Sequence, residues 1–140
     1  MKKITLTLLC TSAILLGCAH EEKPQLLIAD HHTAENSLDW AGSYEGVFPC
    51  ADCEGIRTKL TLQADKRYIL EEEYLTNRPG IKQFTHSGHF EFQSDNPSLI
   101  RLDDQAEQRF FFVGENYLEA RQMESGDAIV SNLNYTLKKQ

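Results

Sequence analysis

Apolar positions follow two different patterns along the chain. From Ile4 to Leu16 they run almost unbroken, interrupted only by small polar residues. Beyond Trp40 they recur with a period of two. A first strand is predicted over Ser43 to Phe48. Thr58-Lys59-Leu60-Thr61-Leu62 then alternates, Ala64-Asp65-Lys66 turns the chain, and Tyr68 to Tyr74 returns, which predicts a hairpin. Asn77-Arg78-Pro79-Gly80 is a second turn signal. In the strand after it, Phe84, Phe90 and Phe92 share parity and are expected to face one core. Asp95-Asn96-Pro97 breaks that run. Further strands are expected at Leu99 to Leu102, Arg109 to Val113, Tyr117 to Ala120, Ala128 to Val130 and Tyr135 to Leu137. No amphipathic helix emerges from the pattern.

Seven or eight short strands joined by tight turns make an antiparallel meander, which must close or stack as two sheets to hide its edges. The predicted fold class is therefore all-β, a small antiparallel up-and-down barrel. Such a barrel is either filled by its own side chains or holds one small ligand. Tyr, Phe and Trp at strand positions are core residues by default.

The N-terminal run has a different destination. Lys2 and Lys3 precede it, and its length of about 13 residues falls well short of the ~20 that span a bilayer as a permanent helix. It reads as a secretory signal over residues 1–17. The run ends in Leu15-Leu16-Gly17-Cys18, which resembles the lipobox of bacterial lipoproteins. That resemblance implies cleavage after Gly17 and a lipid on the Cys18 thiol, so the chain meets the membrane through its N-terminal lipid. Ala19 after the cysteine, by resemblance to known sorting patterns, favours the outer membrane. Residues 18–39 mix charge, Pro24, alanine and a short Leu26-Leu27-Ile28 cluster without periodicity, and form the expected tether, or dock through that cluster. As a flexible coil of ~20 residues it would span roughly 25 Å. The remaining stretch, 40–140, has the usual size of one domain.

Charge narrows the partners. The chain carries a formal −7, and losing Lys2 and Lys3 with the signal makes it −9. Such acidity excludes nucleic acid as an expected partner and opposes binding to anionic lipid through side chains. Of the four cysteines, Cys10 leaves with the signal and Cys18 is the lipid attachment site, so Cys50 and Cys53 remain as one possible pair in an oxidising compartment.

That pair lies in Phe48-Pro49-Cys50-Ala51-Asp52-Cys53-Glu54-Gly55-Ile56, the loop after the first predicted strand. A C-x-x-C spacing serves a short disulfide, disulfide exchange, or a soft metal. Closing a four-residue loop stabilises a fold by only about 2 kcal/mol, a weak reason for a staple. Asp52 and Glu54 disfavour a thiolate, and no βαβ pattern surrounds the loop, so thioredoxin-type catalysis is not expected. A structural zinc would need histidines from elsewhere, whereas Cu(I) tolerates two thiolates. Met123, the one methionine beyond the signal, argues against a methionine-rich copper store. His86 and His89 sit on opposite faces of a regular strand and converge only if Gly88 forms a bulge. His31 and His32 fall in the tether and would bind metal weakly. The Glu71-Glu72-Glu73 run reads as solvated or edge-protecting. No nucleophile triad, phosphate loop or spaced carboxylate pair stands out, so no enzyme is expected.

Trp40-Ala41-Gly42-Ser43-Tyr44-Glu45-Gly46-Val47-Phe48-Pro49-Cys50-Ala51-Asp52-Cys53-Glu54-Gly55-Ile56, continuing through Thr58 to Leu62, resembles the N-terminal domain of the NlpE family, the copper-resistance and surface-sensing outer-membrane lipoproteins. The Pro-Cys-Ala-Asp-Cys-Glu-Gly-Ile core is the specific part. The resemblance implies a lipocalin-like β-barrel, with Cys50 and Cys53 as the family's C-x-x-C, and a role in copper homeostasis or in reporting envelope stress to a sensor protein. The domain would face the periplasm. Better-known members continue into a second, OB-like domain with its own cysteine pair, so the expectation here rests on the barrel, the tether and one pair. A non-enzymatic lipoprotein answering to thiol redox state or Cu(I) is the expectation. Its rival is a barrel holding a small apolar ligand, with the cysteines only a structural disulfide.

Overall fold

The computed structural model describes residues 33–80 and 82–140; the signal segment 1–17, Cys18, and the tether through His32 lie outside the described residues. Eight strands close into one antiparallel barrel in chain order. They are β1 (Gly42–Phe48), β2 (Gly55–Leu62), β3 (Arg67–Leu75), β4 (Gln83–Phe92), β5 (Leu99–Leu102), β6 (Phe110–Gly114), β7 (Tyr117–Ala120) and β8 (Thr136–Lys139). Each pairs with its chain neighbour, and β8 pairs with β1 through Tyr44↔Lys139 and Glu45↔Lys138. The expected all-β barrel is the fold.

The period of two does the building. On β2, Thr58, Leu60 and Leu62 are buried while Arg57 and Lys59 face out; on β3, Tyr68, Leu70 and Glu72 are buried while Arg67, Ile69 and Glu71 face out. The registers Tyr44↔Leu60 and Leu60↔Leu70 keep the apolar set on one side from strand to strand. Tyr44, Tyr68, Phe90 and Phe111 are at most 1 % exposed and join buried leucines from both halves in one core. Each such side chain contributes about 1.5–3 kcal/mol of burial. The barrel is thus filled by its own side chains.

One end is plugged by residues that their lack of periodicity assigns to the tether. A one-turn helix, α1 (Ala34–Ser37), begins at Thr33, whose Oγ1 accepts the Asn36 N–H at 3.3 Å. Ala34 enters the core, and the Trp40 ring meets Phe90 and Phe92 edge-on at 5.6 and 5.5 Å. Trp40 Nε1 donates to the Glu35 carbonyl at 3.0 Å. Packing therefore starts at Thr33, ahead of the Trp40 boundary; a single helical turn has too few residues to show a period.

Strand lengths divide the barrel. β1 to β4 have seven to ten residues, whereas β5 to β8 have four or five. β4 pairs with β5 only over Phe90 to Phe92, so the β1 to β4 sheet outruns its neighbours at the end away from α1. Phe84 has the parity expected for the core but sits on this overhang and is 43 % exposed. The expected strand at Ala128 to Val130 is a single bridge, Arg121↔Ala128, with Val130 98 % exposed. This segment belongs to the loop between β7 and β8, where only Ala128 finds a β-bridge partner.

Two polar contacts close the junction below the overhang. Asp103 accepts the Tyr68 hydroxyl at 2.7 Å, the His89 N–H at 2.8 Å and the Gln105 N–H at 3.2 Å. Burial opposes its charge, but those hydrogen bonds, first the one from His89, prevail and hold the carboxyl below its ordinary range. Gly88 is required here, because a Cβ would lie 2.2 Å from Asp103 Oδ2. Glu72, 8 % exposed, points inward and accepts from Arg109 Nη1 at 2.7 Å. The acidic run is split by parity: Glu71 and Glu73 face out against Lys59 and Arg57, as solvated residues should, while Glu72 is interior and ion-paired.

Candidate functional site: the disulfide loop

The loop between β1 and β2 lies at the end of the barrel opposite α1. β1 stops at Phe48, still paired with Ile56, because Pro49 has no N–H to continue the ladder. β2 starts at Gly55, where a Cβ would lie 2.5 Å from Val47 Cγ1. Only glycine lets the returning chain approach that closely. Six residues, 49–54, bridge the gap.

Cys50 and Cys53 are joined as a disulfide, with their Cα atoms 5.3 Å apart, inside the range that permits the bond. Both are half-buried, while Ala51, Asp52 and Glu54 are exposed. The bond therefore sits on the rim, outside the core. The Glu54 N–H donates to the Leu75 carbonyl at 3.0 Å, which fastens the loop to β3. Asp52 Oδ2 accepts from Arg78 Nη1 at 2.6 Å. Both partners are about two-thirds exposed, so the ion pair contributes little to stability; it does hold the disulfide loop and the β3–β4 loop together. On the other flank, the Tyr135 ring lies 6.3 Å from Phe48, and Asn134 Nδ2 donates to the Val47 carbonyl at 3.3 Å.

Chemically this rim offers one disulfide and, on reduction, two thiols. Cys53 Sγ lies 3.3 Å from the Gly55 carbonyl, an acceptor for its proton once reduced. Cys50 Sγ lies 3.8 Å from Asp52 Oδ1, so a carboxylate stands beside any thiolate formed there. Among the described residues, no group of three His, Cys, Asp or Glu side chains converges as a metal site. His86 and His89 are not brought together: β4 pairs with β3 without interruption from Arg67↔His89 to Leu70↔His86, so Gly88 makes no bulge. Cys18, His31 and His32 lie outside the described residues.

A match to the NlpE N-terminal domain extends over residues 44–131, from β1 through the disulfide loop to the segment after β7. This chain belongs to the NlpE family. Lipoprotein NlpE of Escherichia coli (strain K12) is 36 % identical over 96 residues, which cover 69 % of this chain and 39 % of that protein. The crystal structure of the Cpx pathway activator NlpE from Escherichia coli is 34 % identical and superposes with a TM-score of 0.55, covering 68 % of this chain and 47 % of that one. A lipoprotein crystal structure from Shewanella oneidensis is 44 % identical at a TM-score of 0.69, covering 78 % of this chain and 96 % of that one. The chain thus spans about two-fifths of the curated NlpE relative.

Within this NlpE-type domain, Cys50 and Cys53 were legible from the sequence, and Arg78 was not. It lies 26 residues from Asp52, inside a segment whose turn signal gave no hint of a charge partner.

Proposed function

We propose that this protein is an envelope lipoprotein, anchored to the outer membrane through Cys18, that reports the thiol redox state of its surroundings through Cys50 and Cys53 to a protein of an envelope-stress pathway. One observation carries the reading: the disulfide lies on an exposed rim at the barrel end opposite α1, where the chain enters the domain. The described chain enters the barrel through α1, at the end opposite the disulfide, which leaves the rim open to a protein partner. The naming of an Escherichia coli relative as a Cpx pathway activator supports a protein partner of that kind.

Copper belongs to the same site as a second state. Two thiolates held on one short loop are a soft donor set of the kind Cu(I) accepts. The disulfide has no thiolate to offer, so oxidation and Cu(I) exclude one another. The rival reading, a small apolar ligand in the barrel, meets an interior already occupied by Tyr44, Tyr68, Phe90 and Phe111.

The test uses the protein expressed from its full chain. Cells are quenched with acid and alkylated to count free thiols at Cys50 and Cys53 under oxidising and reducing growth. The reduced protein is then titrated with Cu(I) beside the Cys50→Ser/Cys53→Ser variant and an oxidised sample. The reading expects a disulfide that opens under reducing stress, and an envelope-stress output that no longer changes with redox conditions in the double variant. An output that still follows redox conditions in that variant overturns it. One Cu(I) bound by the reduced form alone adds the copper state; none leaves redox reporting by itself.

A further inference from the structure

Backbone hydrogen bonds along β4 show which way each residue faces. Tyr74 N–H donates to the Lys82 carbonyl at 2.8 Å and Phe90 N–H to the Lys66 carbonyl at 2.9 Å, so even-numbered residues bond to β3. Odd-numbered residues face the other way: the His89 carbonyl accepts the Asp103 N–H at 3.0 Å, and Gln93 N–H donates to the Leu99 carbonyl at 2.9 Å. In an antiparallel ladder this alternation continues along the strand. The pairing with β5 stops at Phe90, and Asp103 serves His89. Gln83, Thr85 and Ser87 therefore direct their N–H and C=O groups away from β3 at positions where no described strand receives them. All three residues are exposed.

Among the described residues, the cover this edge has is the 3-10 turn Asp104–Ala106, which packs against β4 beyond the end of β5. Strand edges are normally blunted by lysine, proline, a bulge or a covering loop. Here the row Gln83, Thr85, Ser87 is uncharged, β4 contains no proline, and its pairing with β3 is regular. Beside it on the inner face, the Tyr74 and Phe84 rings meet edge-on at 5.7 Å and are 37 % and 43 % exposed. On the outer face, the rows next to the edge carry Glu45, Glu71 and Glu73 against Lys59 and Arg57, on a chain of formal charge −7.

We propose that the free edge of β4, from Gln83 to Ser87, is a docking site at which an extended segment of a partner protein joins the sheet as an added strand. Main-chain hydrogen bonds to Thr85 and Ser87 supply the attachment. Side chains of the added strand alternate between the two faces, so one set lies against Phe84 and the other beside Thr85 and Glu71. The fitting segment alternates apolar and basic residues. A second copy of this chain fits less well, because it brings a second net negative charge to the same edge. The site shares no residue with the Cys50–Cys53 pair, so it stands or falls separately from the redox reading.

The experiment follows amide exchange by NMR in the full-chain protein and titrates a heptapeptide that alternates lysine and valine, beside a peptide of the same composition with the valines in one block. Free protein is expected to exchange Thr85 and Ser87 rapidly while Phe84 and His86 are protected. Saturation with the alternating peptide is expected to slow Thr85 and Ser87 at least tenfold, with the block peptide at least tenfold weaker. Thr85→Pro removes an outward N–H without touching the β3 ladder and is expected to weaken binding at least tenfold; Ser87→Pro serves likewise if that variant misfolds. Equal binding by wild type and a folded proline variant overturns the proposal. So does protection of Thr85 and Ser87 in the free protein: independent of concentration, it means that the chain covers its own edge; dependent on concentration, a second copy does. If neither proline variant folds, slowing of those two amides by the alternating peptide alone decides the matter.

Discussion

Reducing the Cys50–Cys53 disulfide is expected to weaken the barrel by about 2 kcal/mol and leave it folded. The figure follows from loop size: the bond closes a loop of sequence separation 3, and the chain entropy removed from the unfolded state by so short a loop is small. The native side agrees, since Ala51 and Asp52 are exposed and the β1–β2 ladder below the loop holds seven residue pairs from Gly42↔Leu62 to Phe48↔Ile56. A reporter needs this property, because it must survive in both oxidation states. The assay is urea unfolding, followed by Trp40 fluorescence, of the oxidised protein, the reduced protein and the Cys50→Ser/Cys53→Ser variant. With a slope of about 1–2 kcal/mol/M for a domain of this size, the midpoint falls by about 1–2 M in the two thiol-free or reduced samples. Loss of the folded baseline on reduction, or a cost above about 4 kcal/mol, refutes the reasoning and makes the disulfide a staple.

Gly88→Ala is expected to cost about 2–4 kcal/mol, because its Cβ displaces an Asp103 carboxylate holding three hydrogen bonds; in an Asp103→Ala background the same change should cost almost nothing, and a double-mutant cycle in urea reads the difference. Because the Asp103 pKa is lowered on folding, its contribution is complete above the unfolded value of about 4 and is lost as pH falls through the folded one; the midpoint gap between wild type and Asp103→Asn should be flat above about pH 5 and shrink below about pH 4. Arg109→Met leaves Glu72 inward and unpaired at a cost of about 2–3 kcal/mol, discounted because Arg109 is itself 25 % exposed; adding Glu72→Leu should restore most of it, as judged by the thermal midpoint.

Alternation determined the strands because a half-buried β-strand leaves its period in the sequence. It alone places Leu60, Leu62, Tyr68 and Leu70 inside, where they are buried, while the need to hide edges allowed either a closed barrel or two stacked sheets, and the structure closes. Proximity along the chain likewise made Cys50 and Cys53 a pair, since three residues cannot carry them far apart. The tertiary structure decided everything that depends on how far each strand runs. Phe84 and Phe90 share parity, yet one is 43 % and the other 1 % exposed, because β5 extends alongside only the latter. Glu71, Glu72 and Glu73 are chemically identical; parity turns Glu72 inward, and only the tertiary structure supplies the Arg109 that neutralises it there, 37 residues away. Asp103 and Arg78 acquire their roles the same way, from contacts 35 and 26 residues distant. A periodic pattern records which face of a strand is wet; it carries no record of which distant segment arrives to cover that face, or where it stops.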